Sequence, residues 1–157
     1  MIDVLVVDDH EMFSEALTLL LTQQPGVRLL GAAREATEAY RMCQAEAPDV
    51  VLMDIDLPEI DGVEATRRIR EMCPRTKVVV VTALEDPAVV ATALAAGACG
   101  YNSSRRVRRP MLTMHMFDKL TILIEKCLLN PGQSSTPVGP GSQSNFNACS
   151  RRAARLR

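Results

Sequence analysis

The chain has 157 residues, 47% hydrophobic and 24% charged, which allows one globular domain with an appendage and argues against wholesale disorder. No apolar run approaches the ~18 residues that a bilayer-spanning helix needs, and the first residues lack the basic and apolar regions of a leader, so a cytoplasmic protein is expected and membrane contact is not. The formal net charge of −1 hides a division: residues 1–104 hold 8 Lys/Arg against 17 Asp/Glu, a balance of −9, whereas residues 105–157 hold 10 against 2, a balance of +8.

Short apolar runs alternate with helical patterns through the acidic part. Residues 2–7 form a mostly β-branched run that stops at Asp8-Asp9, a first strand. Residues 11–23 place Phe13, Ala16, Leu17, Leu20 and Leu21 at helical spacing, and Pro25-Gly26 ends them. The spacing predicts a strand at 27–31, a helix at 35–46 and a third strand at 49–53 that runs into Asp54. A loop with Pro58 and Gly62 leads to a helix at 63–72, closed by Pro74. Residues 77–81 are a fourth strand ending at Thr82, 87–96 a helix stopped by Gly97, and 98–101 a short fifth strand. Strands that are apolar nearly throughout and separated by helices predict a parallel sheet covered on both faces, joined by right-handed crossovers.

The character changes after Tyr101. Residues 103–109 are polar and basic, and Pro110 suits the first turn of a helix. Leu112, Met116, Leu120, Leu123 and Cys127 then recur at steps of 4, 4, 3 and 4, a stripe fit to cover one sheet face. Residues 130–157 begin with Asn130-Pro131-Gly132 and are rich in Ser, Gly, Pro, Gln and Asn before turning basic; a disordered basic tail is expected there. Cys43, Cys73, Cys99, Cys127 and Cys149 are odd in number, with no CxxC pair, which suits reduced thiols and offers no thiolate metal framework.

Ligand sites in open parallel sheets form outside the carboxyl ends of the strands. If strands one, three and four are neighbours, Asp8, Asp9, Asp54 and Thr82 converge there. Carboxylates crowded together repel unless a cation joins them, and an all-oxygen set favours Mg²⁺ with several retained waters. The main-chain carbonyl of Asp56 offers a further oxygen. His10 is expected to be a helix-start residue, not a ligand.

The segments VLVVDDHEMFSEAL, DVVLMDIDLPEIDGVEATRRIR, VVVVTA and AAGACGY resemble the receiver domain of bacterial response regulators, most closely the subfamily carrying a LuxR-type DNA-binding helix-turn-helix. The resemblance spans residues 2–101. It implies a doubly wound, five-stranded α/β fold of the flavodoxin-like (βα)5 kind, strand order 2-1-3-4-5; with the atypical last helix read at about 110–129, the domain is expected to extend over 1–129. It also implies a two-component phosphorelay in which a sensor histidine kinase supplies a phosphoryl group. In that pattern Asp54 matches the phosphoacceptor, Asp8 and Asp9 the acidic pair holding Mg²⁺, and Asp56 the residue whose carbonyl also binds it. Thr82 matches the hydroxyl that bonds the phosphoryl oxygens, and Tyr101 the aromatic switch. The only chemistry expected is the domain's own phosphorylation and dephosphorylation.

The pattern breaks at Ser104, where the family places a lysine three residues after the switch aromatic. Arg105 follows; in an extended strand it points to the opposite side, and whether it replaces the lysine is open. Two origins fit the break: divergence of the last helix, or a changed reading frame in a longer regulator. The alternatives in function are a DNA-binding transcription regulator, or a remnant of one, and a pseudo-receiver that works without phosphate. DNA contact is expected to be weak or absent, because residues 133–157 carry no helical apolar period and no recognition helix is evident. A homodimer is a possible assembly.

Overall fold

The computed structural model describes residues 1–83, 86–103 and 112–129, and the side chains of all of these but 103, 112–118 and 129. In chain order the elements are β1 (Ile2–Val7), α1 (Glu11–Thr22), β2 (Val27–Ala33), α2 (Ala36–Glu46), β3 (Val50–Met53), α3 (Gly62–Met72), β4 (Lys77–Thr82), α4 (Pro87–Ala95), β5 (Gly100–Ser103) and α5 (Leu112–Leu129). The five strands form one parallel sheet in the order β2-β1-β3-β4-β5, as the sequence leads one to expect.

Alternation along each strand builds the two cores. Val4 and Val6 of β1, Val50 and Leu52 of β3, and Val79 and Val81 of β4 face one side, where Leu17 and Leu21 of α1 meet Leu120 and Ile124 of α5. Leu5, Val7, Val51, Met53 and Val78 face the other, against Ala36, Ala39 and Cys43 of α2 and Ala65 and Ile69 of α3. Ile55, Val80, Ala93 and Ala98 extend that second side toward α4. Val4 to Val7 are fully buried, which explains why β1 carries no polar residue between Asp3 and Asp8.

Two strands are longer or later than their apolar runs. β2 continues through Ala32 and Ala33, which pair with Val6 and Val7 after a register shift that lets Leu30 bulge. β5 begins at Gly100, not at residue 98. Gly97, at φ 102°, and Ala98 are still closing α4, their N–H groups donating to Leu94 and Ala93 carbonyls. Pairing with β4 then carries polar Asn102 and Ser103 into the sheet opposite Val81 and Thr82. Hydropathy follows burial, whereas strand limits follow the hydrogen-bond ladder, and here the two differ.

Among the described side chains of α5, Leu120, Ile124 and Cys127 are buried, with Leu123 and Leu128 packed beside them. The expected positions Leu112 and Met116 lie on α5, their side chains outside the described residues; Ser104, Arg105 and the tail at 130–157 also lie outside them. Among the described residues no helix is long and apolar enough to cross a membrane.

Candidate functional site

The carboxyl ends of β1, β3 and β4 meet at one edge of the sheet. Asp8 follows β1, its N–H held by the Ala33 carbonyl at 3.0 Å, and Asp54 follows β3, its N–H held by the Val7 carbonyl at 2.9 Å. The ladder therefore runs one residue past each strand and delivers both side chains to the same place. Asp8, Asp9, His10 and Asp54 each present a ligand atom there, all within 4.8 Å of one another. Thr82 ends β4, is buried, and donates its hydroxyl hydrogen bond to Asp54. Asp56 is exposed in the loop that follows, and its N–H donates to the Asp54 carboxylate. Tyr101, on β5, is half-buried against the cluster of Ile55, Val80, Ala93 and Ala98.

Burial and donors oppose each other at Asp54. Burial pushes its carboxyl above the usual carboxylate range, while the N–H groups of Ile55 (2.7 Å) and Asp56 and the Thr82 hydroxyl favour the ionised form. Asp8, only 4% exposed, is pushed up to about 6, chiefly by burial; the His10 N–H at 2.8 Å resists this and the Asp54 charge adds to it.

His10 is the N-cap residue of α1, as expected of a helix start, but makes no side-chain cap. Its Nδ1 instead lies 2.9 Å from Asp9 Oδ1, 3.5 Å from Asp8 Oδ1 and 3.9 Å from Asp54 Oδ2. Sequence adjacency to the acidic pair did not show that the ring turns toward all three carboxylates.

Gly62 is the positioning residue that hydropathy does not single out. Its N–H donates to the Ile55 carbonyl at 2.9 Å. A Cβ there would lie 2.7 Å from Ile55 Cα and closer still to the Asp54 carbonyl oxygen. Asp61 caps α3 beside it, accepting from Val63 N–H (2.8 Å) and Glu64 N–H (2.9 Å). The available signal was Asp-Gly just ahead of an amphipathic helix, in the loop leaving Asp54.

These carboxyls make stability depend on pH in the metal-free protein. A carboxyl raised in the fold keeps its proton where the unfolded chain has released it, so stability falls as pH rises between the two values. For Asp8, moving from 3.8 to about 6, the expected loss is about 3 kcal/mol between roughly pH 4 and pH 6. Asp54 shifts in the same direction. Asp8→Asn keeps an acceptor for the His10 N–H and should flatten this fall, making the variant more stable than the parent at pH 7. Denaturant titrations across that range would show it; an equal fall in both proteins would contradict it.

The chain matches the response regulator receiver domain over residues 4–103, and it belongs to that family. Such domains are the phosphoryl-accepting modules of two-component systems, modified on an aspartate. The chain is 42% identical over 101 residues to the response regulator GacA of Pseudomonas viridiflava, covering 64% of this chain and 47% of that protein. It thus spans about half the length of the curated relatives it matches. Among solved structures it resembles a LuxR-family two-component response regulator from Aurantimonas sp. SI85-9A1, with a TM-score of 0.71 and 29% identity, over 80% of this chain and 86% of that one. The response regulator domain of Thermotoga maritima CheB aligns with a TM-score of 0.73 and 27% identity, over 82% of this chain and 97% of that one.

Proposed function

We propose that this domain takes a phosphoryl group onto Asp54 from the phosphohistidine of a sensor histidine kinase in the cytoplasm and relays the event through Thr82 and Tyr101 to a protein-interaction surface. The observation that carries this reading is the convergence of Asp8, Asp9 and Asp54 within 4.8 Å, with Asp54 bonded to Thr82. The receiver unit is assigned to residues 1–129.

The donor set fits a hard divalent cation. Three carboxylates share the site, and two of them, buried, have raised proton affinities that a cation would offset. Asp8, Asp9, Asp54 and the Asp56 carbonyl are the residues assigned to hold Mg²⁺. When bound, it supplies the positive charge that neutralises the carboxylates and the incoming phosphoryl oxygens.

The ionised Asp54 carboxylate is the nucleophile. Its oxygen forms a bond to phosphorus as the phosphorus–nitrogen bond of the donor breaks, and the electron pair leaves with the imidazole. The N–H groups of Ile55 and Asp56 hold the carboxylate oriented and charged. The acyl phosphate adds nearly two negative charges at the sheet edge. Thr82 then turns its hydroxyl to the phosphoryl oxygens, and Tyr101 moves into the space released.

Metal affinity should be weak, because Mg²⁺ keeps most of its waters. Asp9→Asn should lower it roughly tenfold by calorimetry, about 1.4 kcal/mol; an unchanged titration would remove Asp9 from the ligand set. The function itself is tested by intact mass after incubation with a small phosphodonor. One phosphoryl group should be gained with Mg²⁺ and none without it, and no gain under either condition would reject the reading.

A further inference from the structure

We propose that Cys99 and Cys127 form a reversible disulfide, a redox clasp between the start of β5 and helix α5 at the sheet edge opposite Asp54. The two are 28 positions apart, and folding brings them together. The Cys99 N–H donates to the Val78 carbonyl at 2.8 Å, fixing this residue just ahead of β5. A Cβ on Gly100 would lie 2.6 Å from Leu123 Cδ1, so α5 rests directly on the β5 backbone. Cys127 is one helical turn beyond Leu123, which sets it over the residue before Gly100. Both cysteines belong to the same core cluster, and the two thiols are hydrogen-bonded to each other.

The pair is polarised. The hydrogen bond from Cys99 holds the Cys127 thiol below its ordinary range; burial opposes this and the Lys77 cation assists. The same bond, with burial, pushes Cys99 up. Cys127 thus favours the thiolate form at rest, and the shared hydrogen bond lets it take the Cys99 proton. Cys99 is only half-buried, whereas Cys127 is 4% exposed. The other neighbouring thiols, Cys43 and Cys73, share the opposite core, where burial pushes Cys43 up to about 12 and keeps it protonated.

The oxidant class is a low-molecular-weight disulfide. Cys99, the half-buried thiol that a small disulfide can reach, passes its proton to Cys127 along their hydrogen bond and attacks one sulfur of the small disulfide, forming a mixed disulfide and expelling a thiolate. Cys127 passes that proton to the expelled thiolate and attacks the Cys99 sulfur, expelling a second thiolate that takes a proton from water. Two cysteine residues lose two electrons, and the small disulfide is reduced to two thiols. The link closes α5 onto β5, the strand that also bears Tyr101, and a thiol reductant reopens it.

The test treats the full chain with oxidised glutathione, alkylates the remaining thiols and maps the digested peptides by mass. The expected product is an intramolecular Cys99–Cys127 link, lighter by two hydrogen atoms and reversed by dithiothreitol. It should form at least about tenfold faster than any link from either residue to Cys43 or Cys73, which lie in the other core, as the adjacency of the two thiols dictates. Cys127→Ser and Cys99→Ser should each abolish it, and Cys149→Ser should leave it intact. The oxidised chain should also show slower amide exchange along α5. Both cysteines alkylated after treatment, each carrying its own glutathione, or linked chiefly to other cysteines would overturn the proposal.

Discussion

Gly62→Ala is expected to lose about 3–5 kcal/mol of stability, a severe effect for a single methyl group. The added carbon would overlap backbone, namely the Asp54 carbonyl oxygen, Ile55 Cα at 2.7 Å and Asp54 C at 2.8 Å. A side chain could rotate away, but these atoms cannot move without displacing Asp54 and the Ile55–Gly62 hydrogen bond of 2.9 Å. Thr66 adds a further tether, its hydroxyl bonding the Gly62 carbonyl at 2.7 Å. Set against a typical domain stability of roughly 5–15 kcal/mol, much of the fold's margin would go. Urea denaturation would measure it. A variant with the parent's midpoint would show that the loop after β3 yields more easily than its contacts imply.

Asp54→Asn should abolish Mg²⁺-dependent phosphoryl uptake while leaving the fold in place. The amide oxygen can keep the Ile55 N–H bond, 2.7 Å in the parent, while the amide NH2 takes the place of the second oxygen and can donate to the Thr82 hydroxyl. What is lost is the anionic nucleophile, since a carboxamide does not attack phosphorus at a useful rate. Neutralising a buried carboxylate also removes repulsion with Asp8, and the variant should melt no lower than the parent in the absence of metal. The pairing of full loss of uptake with retained stability separates a chemical role from a structural one. Uptake that persists in a folded variant would move the acceptor elsewhere.

Much of this architecture was legible in the residues because burial and chemistry leave opposite marks. Val4 to Val7 are wholly apolar, Asp8 is not, and the change locates the end of β1. The same contrast at Met53-Asp54 and Val81-Thr82 placed three polar ends on one edge, and the sheet order makes their strands neighbours. Features set by backbone geometry were less visible. The start of β5 depends on where α4 finishes its last turn, a matter of the φ of Gly97 and not of the hydropathy of Ala98 and Cys99. Gly62 is conspicuous only once Asp54 stands behind it, and the His10 ring is a ligand-distance neighbour only after α1 sets its direction. The Cys99 and Cys127 thiols meet through the crossing of α5 over β5, which linear spacing does not encode.

The most direct measurement locates the modification. The full chain is incubated with a small phosphodonor and Mg²⁺, the acyl phosphate is reduced with borohydride, and the peptides are sequenced by mass. Reduction converts a phosphorylated aspartate to homoserine, marking the residue that carried the group. Homoserine at position 54, dependent on Mg²⁺ and absent from every other aspartate, is the predicted result. Homoserine at Asp8, Asp9 or Asp56, or an unmodified Asp54 in a chain that has gained phosphate, would contradict it.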